Sequence, residues 1–364
     1  MNRLKIKMLL TFLVLLAVGI WLFLQSAVFG AAPTGARQTR IEQSANYRDG
    51  SFQNRLPTVV LRSGASTLGL IRDLFNKPAN NTPPQPLPSV RTDLNALPAD
   101  ETTIVWFGHS SYLIRSGGYT LLVDPVFSGS ASPLPFSVRA FAGTDAYSVA
   151  DMPPIDVLVL THDHYDHLDY QTITKLLPIV KHVCTSLGVG AHLERWGYNP
   201  ALITELDWGQ TDRVSNSLTL TAALARHFSG RSFKRGQTLW SAFVLNVGDK
   251  RLFLGGDSGY GPHFRQIGEQ YGPFDLTLLE CGQFGRDWPD IHTTPNEVIL
   301  AAQDLKTNVL MPVHWGKFAL AFHAWNGPIQ ELTELAGPAG LRLTTPRIGE
   351  PVTFGKPLPS QRWW

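Results

Sequence analysis

The sequence predicts an α/β protein whose chemistry sits on loops just past buried strands. Three observations predict it. Short apolar runs such as Val157-Leu158-Val159-Leu160 recur along the chain and read as strands buried on both faces. Helical segments with explicit start signals lie among them; Thr294-Pro295-Asn296-Glu297 is a capping box with proline at the first helical position. The run at 157–160 leads directly into Thr161-His162-Asp163-His164-Tyr165-Asp166-His167-Leu168-Asp169, where three histidines and three aspartates fall within nine residues. Imidazole nitrogens and carboxylate oxygens at that density suit zinc, or iron and manganese of similar demand. A solvated charged loop is the ordinary alternative, and the His-x-His-x-Asp-His order argues against it.

A chain of 364 residues with 43% apolar residues is long enough for one large domain or two ordinary ones, and its composition is that of a globular protein. The net charge is only +2, and much of it comes from the N-terminus. No basic footprint for a nucleic acid is visible, so none is expected as a partner. Cys184 and Cys281 lack metal-site spacing. They are expected as buried thiols, with one disulfide as the alternative.

The first residues carry Arg3, Lys5 and Lys7, and from Met8 to Leu24 every residue but Thr11 is apolar. A basic head before such a run is a signal peptide or a membrane anchor, and its length reaches the lower limit for a spanning helix. A single-pass anchor over residues 1–30 is expected, with the basic side cytoplasmic and the body of the protein on the periplasmic or extracytoplasmic side. Small residues at Ser26, Ala27, Gly30, Ala31 and Ala32 leave secretion after cleavage as the alternative. Residues 31–100 hold many Pro, Asn, Ser and Gly, including Pro83-Pro84-Gln85-Pro86-Leu87-Pro88. They read as a stiff tether, with a short amphipathic helix at Leu68–Phe75. A segment wrapped over the domain surface is the alternative.

The main domain is expected over residues 101–364. Strands are predicted at 103–107, then at 112–115 and 120–123 around the hairpin signal Ser116-Gly117-Gly118. The last of these runs into Asp124-Pro125. The apolar loop 128–154, with Phe127 before it and Leu134, Phe136 and Phe141 in it, suits a substrate cover, although packing on the domain is the commoner reason. Further strands are predicted at 157–160, 180–185, 217–225, 239–247, 251–254, 275–279 and 308–313. Helices are predicted at 170–177, 191–196 and 329–336.

Each candidate ligand follows a strand: the group His162, His164, Asp166 and His167, then His227, Asp257 and His314. Seven groups suffice for two metals. The division expected is His162, His164 and His227 on one, Asp166, His167 and His314 on the other, and Asp257 bridging both. This leaves an open position for water, the mark of a catalytic site. Taken singly, His227 reads equally as a core histidine, Asp257 as a turn residue and His314 as a stacking partner of Trp315. Asp163 and Asp169 are left as turn and helix-cap residues.

These ligands, with Trp106-Phe107-Gly108-His109-Ser110, Leu122-Val123-Asp124-Pro125, Gly256-Asp257-Ser258-Gly259-Tyr260 and His314-Trp315-Gly316-Lys317-Phe318, resemble the metallo-β-lactamase superfamily. More narrowly, they are similar to the N-acylphosphatidylethanolamine-hydrolysing phospholipase D group and its bacterial relatives. The resemblance covers roughly residues 100–345 and implies an αββα sandwich with a di-zinc site at one edge of its two sheets. It implies a phosphodiesterase that cleaves a membrane phospholipid through a hydroxide shared by two metals. His292 matches an active-site histidine of that group near the scissile phosphate. Asp124 is expected to orient a ligand or the water, and Asp257 to be indispensable. The segment Gly285-Arg286-Asp287-Trp288-Pro289 departs from the group's wording, which bears on the substrate rather than the metal chemistry. The rival readings are a sugar-phosphate lactonase of the same superfamily and a non-catalytic envelope protein that binds or regulates.

Overall fold

The computed structural model describes residues 3–64, 69, 72 and 77–364. Two mixed sheets face one another. The first runs Pro351–Thr353, Thr103–Trp106, Tyr112–Ser116, Tyr119–Val123, Val157–Leu160, Val183–Ser186, Ile203–Leu206 from edge to edge. The second runs Leu310–Val313, Leu276–Glu280, Lys250–Leu254, Ala242–Val247, Leu218–Ala223, Thr211–Ser215. Period-two alternation decides which side chains go between them. Ile104 and Trp106 point into the shared core with Val157, Val159, Leu220, Val244, Leu252 and Leu278. Their neighbours Val105 and Phe107 turn outward, joining Leu158, Leu160 and the helix residues Ile173, Leu176 and Leu193. On the far side, helices His263–Tyr271, Pro295–Asp304 and Gly327–Ala336 pack Phe264, Val298, Ile329 and Leu332 against the second sheet. The layers are therefore αββα, as the resemblance implies.

The expected strands and helices form close to their expected bounds. The capping box at Thr294 is present, with both its backbone and its hydroxyl bonded to Glu297. Both cysteines are buried free thiols. The helix at Tyr170 ends at Leu176 and passes into a 3₁₀ turn that contains Pro178. The strands Ile203–Leu206, Thr211–Ser215 and Pro351–Thr353 and the helix His263–Tyr271 carry no strong local signal and are set by pairing and packing.

Two expectations change. Residues 31–100 do not form a free spacer where they are described; they run over the domain, the alternative raised above. Helix Gly35–Glu42 and the hairpin Tyr47–Arg48/Ser51–Phe52 seat Ile41 and Phe52 among Leu187, Trp208, Leu239 and Trp240. Arg37 ties that helix to Glu205 at 2.7 Å and to Glu194. Leu87, Leu94 and Leu97 are buried as well. Proline stiffens the path, while these scattered apolar residues reach the domain. The helix expected at Leu68–Phe75 falls outside the described residues, except for Gly69 and Arg72, which are helical. The loop 128–154 also packs down: Ala131 and Phe141 are buried, and Val126 and Ala131 enclose Phe318. No residue of that loop lines the cavity over the metal-ligand cluster.

Candidate metal centre

The ligand-bearing loop is aimed by the strand before it. Asp124, at the end of the neighbouring strand, accepts from the Thr161 amide at 2.9 Å and the Thr161 hydroxyl at 2.6 Å. The same carboxylate accepts from His167 Nδ1 at 2.8 Å. With its hydrogen committed to Asp124, the Thr161 hydroxyl accepts from His162 Nδ1 at 3.0 Å. Asp124 thus fixes the tautomers of two histidines, one directly and one through Thr161, and leaves both Nε2 atoms facing Asp257, one on each of its oxygens. His227 is fixed likewise, its Nδ1 donating to the Ile291 carbonyl at 2.9 Å.

Two groups of potential ligands result, each with its donor atoms mutually within 4.8 Å. One holds His162, His164, His227 and Asp257; the other holds His109, Asp166, His167 and His314. Asp257 lies between them. Its Oδ2 faces His162 Nε2 at 3.8 Å and His227 Nε2 at 3.7 Å, while its Oδ1 faces His167 Nε2 at 3.2 Å and His314 Nδ1 at 3.1 Å. The seven side chains expected as ligands are therefore brought together around Asp257. His109 is an addition: its Nε2 contacts Asp166 at 2.9 Å. It too follows a strand, but it stands alone there, and that is why sequence reasoning passed over it.

The donor set fits divalent cations. Four buried polar atoms of the cluster have no hydrogen-bond partner among the described residues: His109 Nδ1, His167 Nε2, Asp257 Oδ1 and His314 Nε2. Burial holds His162, His227 and His314 well below the usual imidazole range, so they are neutral, as ligands must be. Burial disfavours charge on Asp166 and Asp257 too, yet facing His167 holds both well below the usual carboxylate range. Against its own burial, His167 is lifted well above the ordinary histidine value by Asp257 and Asp166. Two buried carboxylates thus demand positive charge between them, which a metal ion would supply.

Backbone strain accompanies the geometry. His109, Asp124, Gln283 and His314 all have positive φ, at 51°, 40°, 66° and 64°. Non-glycine residues rarely hold this conformation, and here each sits where a strand ends and its side chain turns into or beside the cluster. Gly259 marks another tight approach, since a Cβ there would come within 1.8 Å of the Asp290 carbonyl oxygen.

A second wall is built by Glu280 and His292. Glu280, at the end of Leu276–Glu280, accepts from the Ser258 amide at 2.8 Å and faces His292 Nδ1 at 2.5 Å. Burial pushes the Glu280 carboxyl up to about 7, against the pull of His292. His292 is pushed up to about 9: burial opposes its charge, but Glu280 more than offsets that. With Asp257 and His314, this pair forms a third convergent group. Beside the cluster is a cavity of about 300 Å³ lined by the apolar Val60, Leu61, Phe228, Trp288, Ile291 and Leu320, by His292 and Arg235, and by Asp166 and Asp257 of the cluster.

The loop also connects to the N-terminus. Asp163 accepts from the Gly230 amide at 2.7 Å, Thr238 at 3.0 Å and His192 Nε2 at 3.2 Å. His192 Nδ1 accepts from the Ala31 amide at 3.0 Å. Arg231 donates to the carbonyls of Asp163 and Leu168, both at 2.7 Å, and to the Val28 carbonyl at 2.8 Å. Asp169 is a helix cap, accepting from the Gln171 amide at 3.2 Å.

An αββα sandwich with a seven-ligand His/Asp cluster at its strand ends defines a metal-dependent hydrolase. A model of the beta-lactamase superfamily domain matches residues 119–315. The chain is 38% identical to an uncharacterised protein of Mycobacterium tuberculosis over 96% of each chain. It is 28% identical to N-acyl-phosphatidylethanolamine-hydrolyzing phospholipase D 1 of Caenorhabditis elegans, over 59% of this chain and 64% of that one. The structure of Igni18, a metallo hydrolase from Ignicoccus hospitalis, superposes with a TM-score of 0.54 at 20% identity, covering 71% of this chain and all of that one, which is a likeness of fold. The chain belongs to the metallo-β-lactamase superfamily.

Proposed function

We propose that this protein is a membrane-anchored phosphodiesterase that hydrolyses a phospholipid of the N-acyl phosphatidylethanolamine kind. The observation that carries the reading is the cavity over the cluster, whose lining combines the apolar Val60, Leu61, Phe228, Trp288, Ile291 and Leu320 with His292, Arg235 and the ligand cluster itself. A lipid phosphodiester likewise joins an apolar acyl chain to an anionic phosphate. The exposed apolar helix Arg3–Leu24 is long enough to cross a bilayer and would bring the site to such a substrate. The worm relative is named for that phospholipase activity.

His162, His164, His227 and Asp257 would hold one cation, and Asp166, His167, His314 and Asp257 a second, with zinc the proposed metal. Such a pair supplies Lewis acidity and a nucleophile at neutral pH. The chain does the rest. Asp124 and Thr161 hold His162 and His167 in the ligating tautomer. Glu280 holds His292 Nδ1–H and favours the imidazolium, so that the Nε2–H is left to donate to a phosphate oxygen or to the departing alkoxide. Val60, Leu61, Trp288 and Leu320 exclude water around it and seat acyl chain. The test is side-by-side turnover of N-acyl phosphatidylethanolamine, bis(p-nitrophenyl) phosphate and a sugar-phosphate lactone by the full chain. Release of N-acylethanolamine is expected. Turnover of the lactone alone would overturn the reading.

A further inference from the structure

The cavity over the cluster has a neighbour. A chamber of about 520 Å³ lies between residues 48–60 on one side and the loop carrying His227, Phe228 and Arg235 on the other. The two spaces share Val60, His227, Phe228 and Arg235, so one molecule can occupy both. Their chemistry differs. Among the described residues, the chamber is lined by Arg48, Arg55 and Arg235 and by no aspartate or glutamate.

We propose that this chamber is a binding site for a second anionic group, phosphate-like in charge and shape, carried next to the scissile phosphodiester. Among the described residues, none of the three arginines forms an ion pair, whereas nearby Arg226 is held by Asp290 at 2.9 Å. Arg55 rests over Trp208 at 5.5 Å and spends only its Nε on Asn46, at 3.3 Å. Its two terminal nitrogens are left unbonded among the described residues. Arg235 lies over Phe228 at 4.9 Å. Stacking holds a guanidinium plane and leaves its edge free, the arrangement that grips a phosphate with two parallel N–H bonds. Three cations around one chamber repel one another, and an anion relieves that repulsion.

The placement indicates what the chamber is for. Most of its wall, residues 48–60, lies outside the 119–315 match to the common family domain. This wall is secured independently of any ligand: the Phe52 amide donates to the Gly236 carbonyl at 2.8 Å, and Asn54 bonds the His227 carbonyl at 2.7 Å and accepts from its amide at 3.1 Å. The N-terminal segment therefore adds a cationic subsite directly against a metal ligand. The inference rests on the phosphodiesterase part of that reading and extends its substrate range to a phosphodiester bearing an added phosphomonoester or similar anion, which N-acyl phosphatidylethanolamine itself lacks.

The test uses the full chain in detergent with two chromogenic substrates. One is bis(p-nitrophenyl) phosphate; the other is a p-nitrophenyl phosphodiester with an added phosphomonoester. Arg48→Gln/Arg55→Gln is expected to raise KM for the second about tenfold with kcat unchanged, and to leave both constants for the first within about twofold. Equal loss on both substrates, or no preference of the unmodified protein for the doubly anionic one, overturns the proposal. Inorganic phosphate separates the sources of the anion. If it competes only with the doubly anionic substrate, the group belongs to the substrate; if it changes bis-aryl turnover in the unmodified protein and not in the variant, the chamber takes a separate anion. If neither substrate turns over, the hydrolase reading falls, and calorimetry with inorganic phosphate still decides the chamber: heat lost in the variant supports it, and heat unchanged overturns it.

Discussion

The ligand cluster and the wall that faces it are built by opposite means. The cluster hangs from strand ends of the two sheets, and nearly every side chain in it is tied by a second residue: His162 by Thr161, His167 by Asp124, His227 by Ile291. The facing wall comes from residues 48–61, laid over the domain from outside it, with exposed arginines that make no ion pair among the described residues. The difference teaches a division of labour. Rigid, mutually bonded groups set the reaction, and an appended segment sets what is presented to it.

That division is open to attack from its strongest point downward. Asp257→Asn, which touches both ligand groups, is expected to cut turnover by more than about 100-fold and to lower bound metal measured by elemental analysis. Retained metal and full turnover would break the two-metal arrangement. Asp124→Asn touches no substrate and is expected to cost about 10–100-fold in activity or metal affinity, because two histidines lose the acceptor that sets their tautomers. Glu280→Gln is expected to move the alkaline limb of the kcat profile to lower pH. His292 is raised to about 9 by Glu280, so its protonated form is lost above that value; without the carboxylate it is lost earlier. An unmoved limb would show that His292 does not act as the proton donor.

The smallest effect lies away from the chemistry. His263 is buried and held near 3 by burial and by Arg226. Its folded value lies below the ordinary one of 6.5, so the unfolded chain takes up a proton first as pH falls. Stability is therefore expected to decline from about pH 6.5 down toward 3. The slope of unfolding midpoint against pH should be shallower in His263→Gln.

Much of the cluster was legible because chemistry and spacing coincide at 162–167, and because His227, Asp257 and His314 each follow a strand with its own pattern. His109 and Glu280 were not legible. Each is a lone ionisable residue in an ordinary apolar context, and only the pairing of distant strands sets His109 beside Asp166 and Glu280 beside His292. The N-terminal segment misled for a different reason. Its prolines dominate the composition, while burial depends on a few residues such as Ile41 and Phe52, whose partners lie more than a hundred residues away. The loop 128–154 shows the converse: its aromatic content suggests a cover, but Phe141 serves packing.

The junction at Val28 and Ala31 has a consequence for how far this site can reach. Only three residues separate Leu24 from Val28, at most about 14 Å of chain, and Val28 is already bonded to the arginine that holds the Asp163 loop. With the helix in a bilayer there is no slack for the cluster to wander. Its standoff from the lipid surface is set by covalent length, and its encounters are those of lateral diffusion at a fixed height. An enzyme so anchored and acting on a lipid would patrol an area rather than a volume, and its rate would follow the surface density of substrate in its own leaflet, not the concentration in the surrounding fluid.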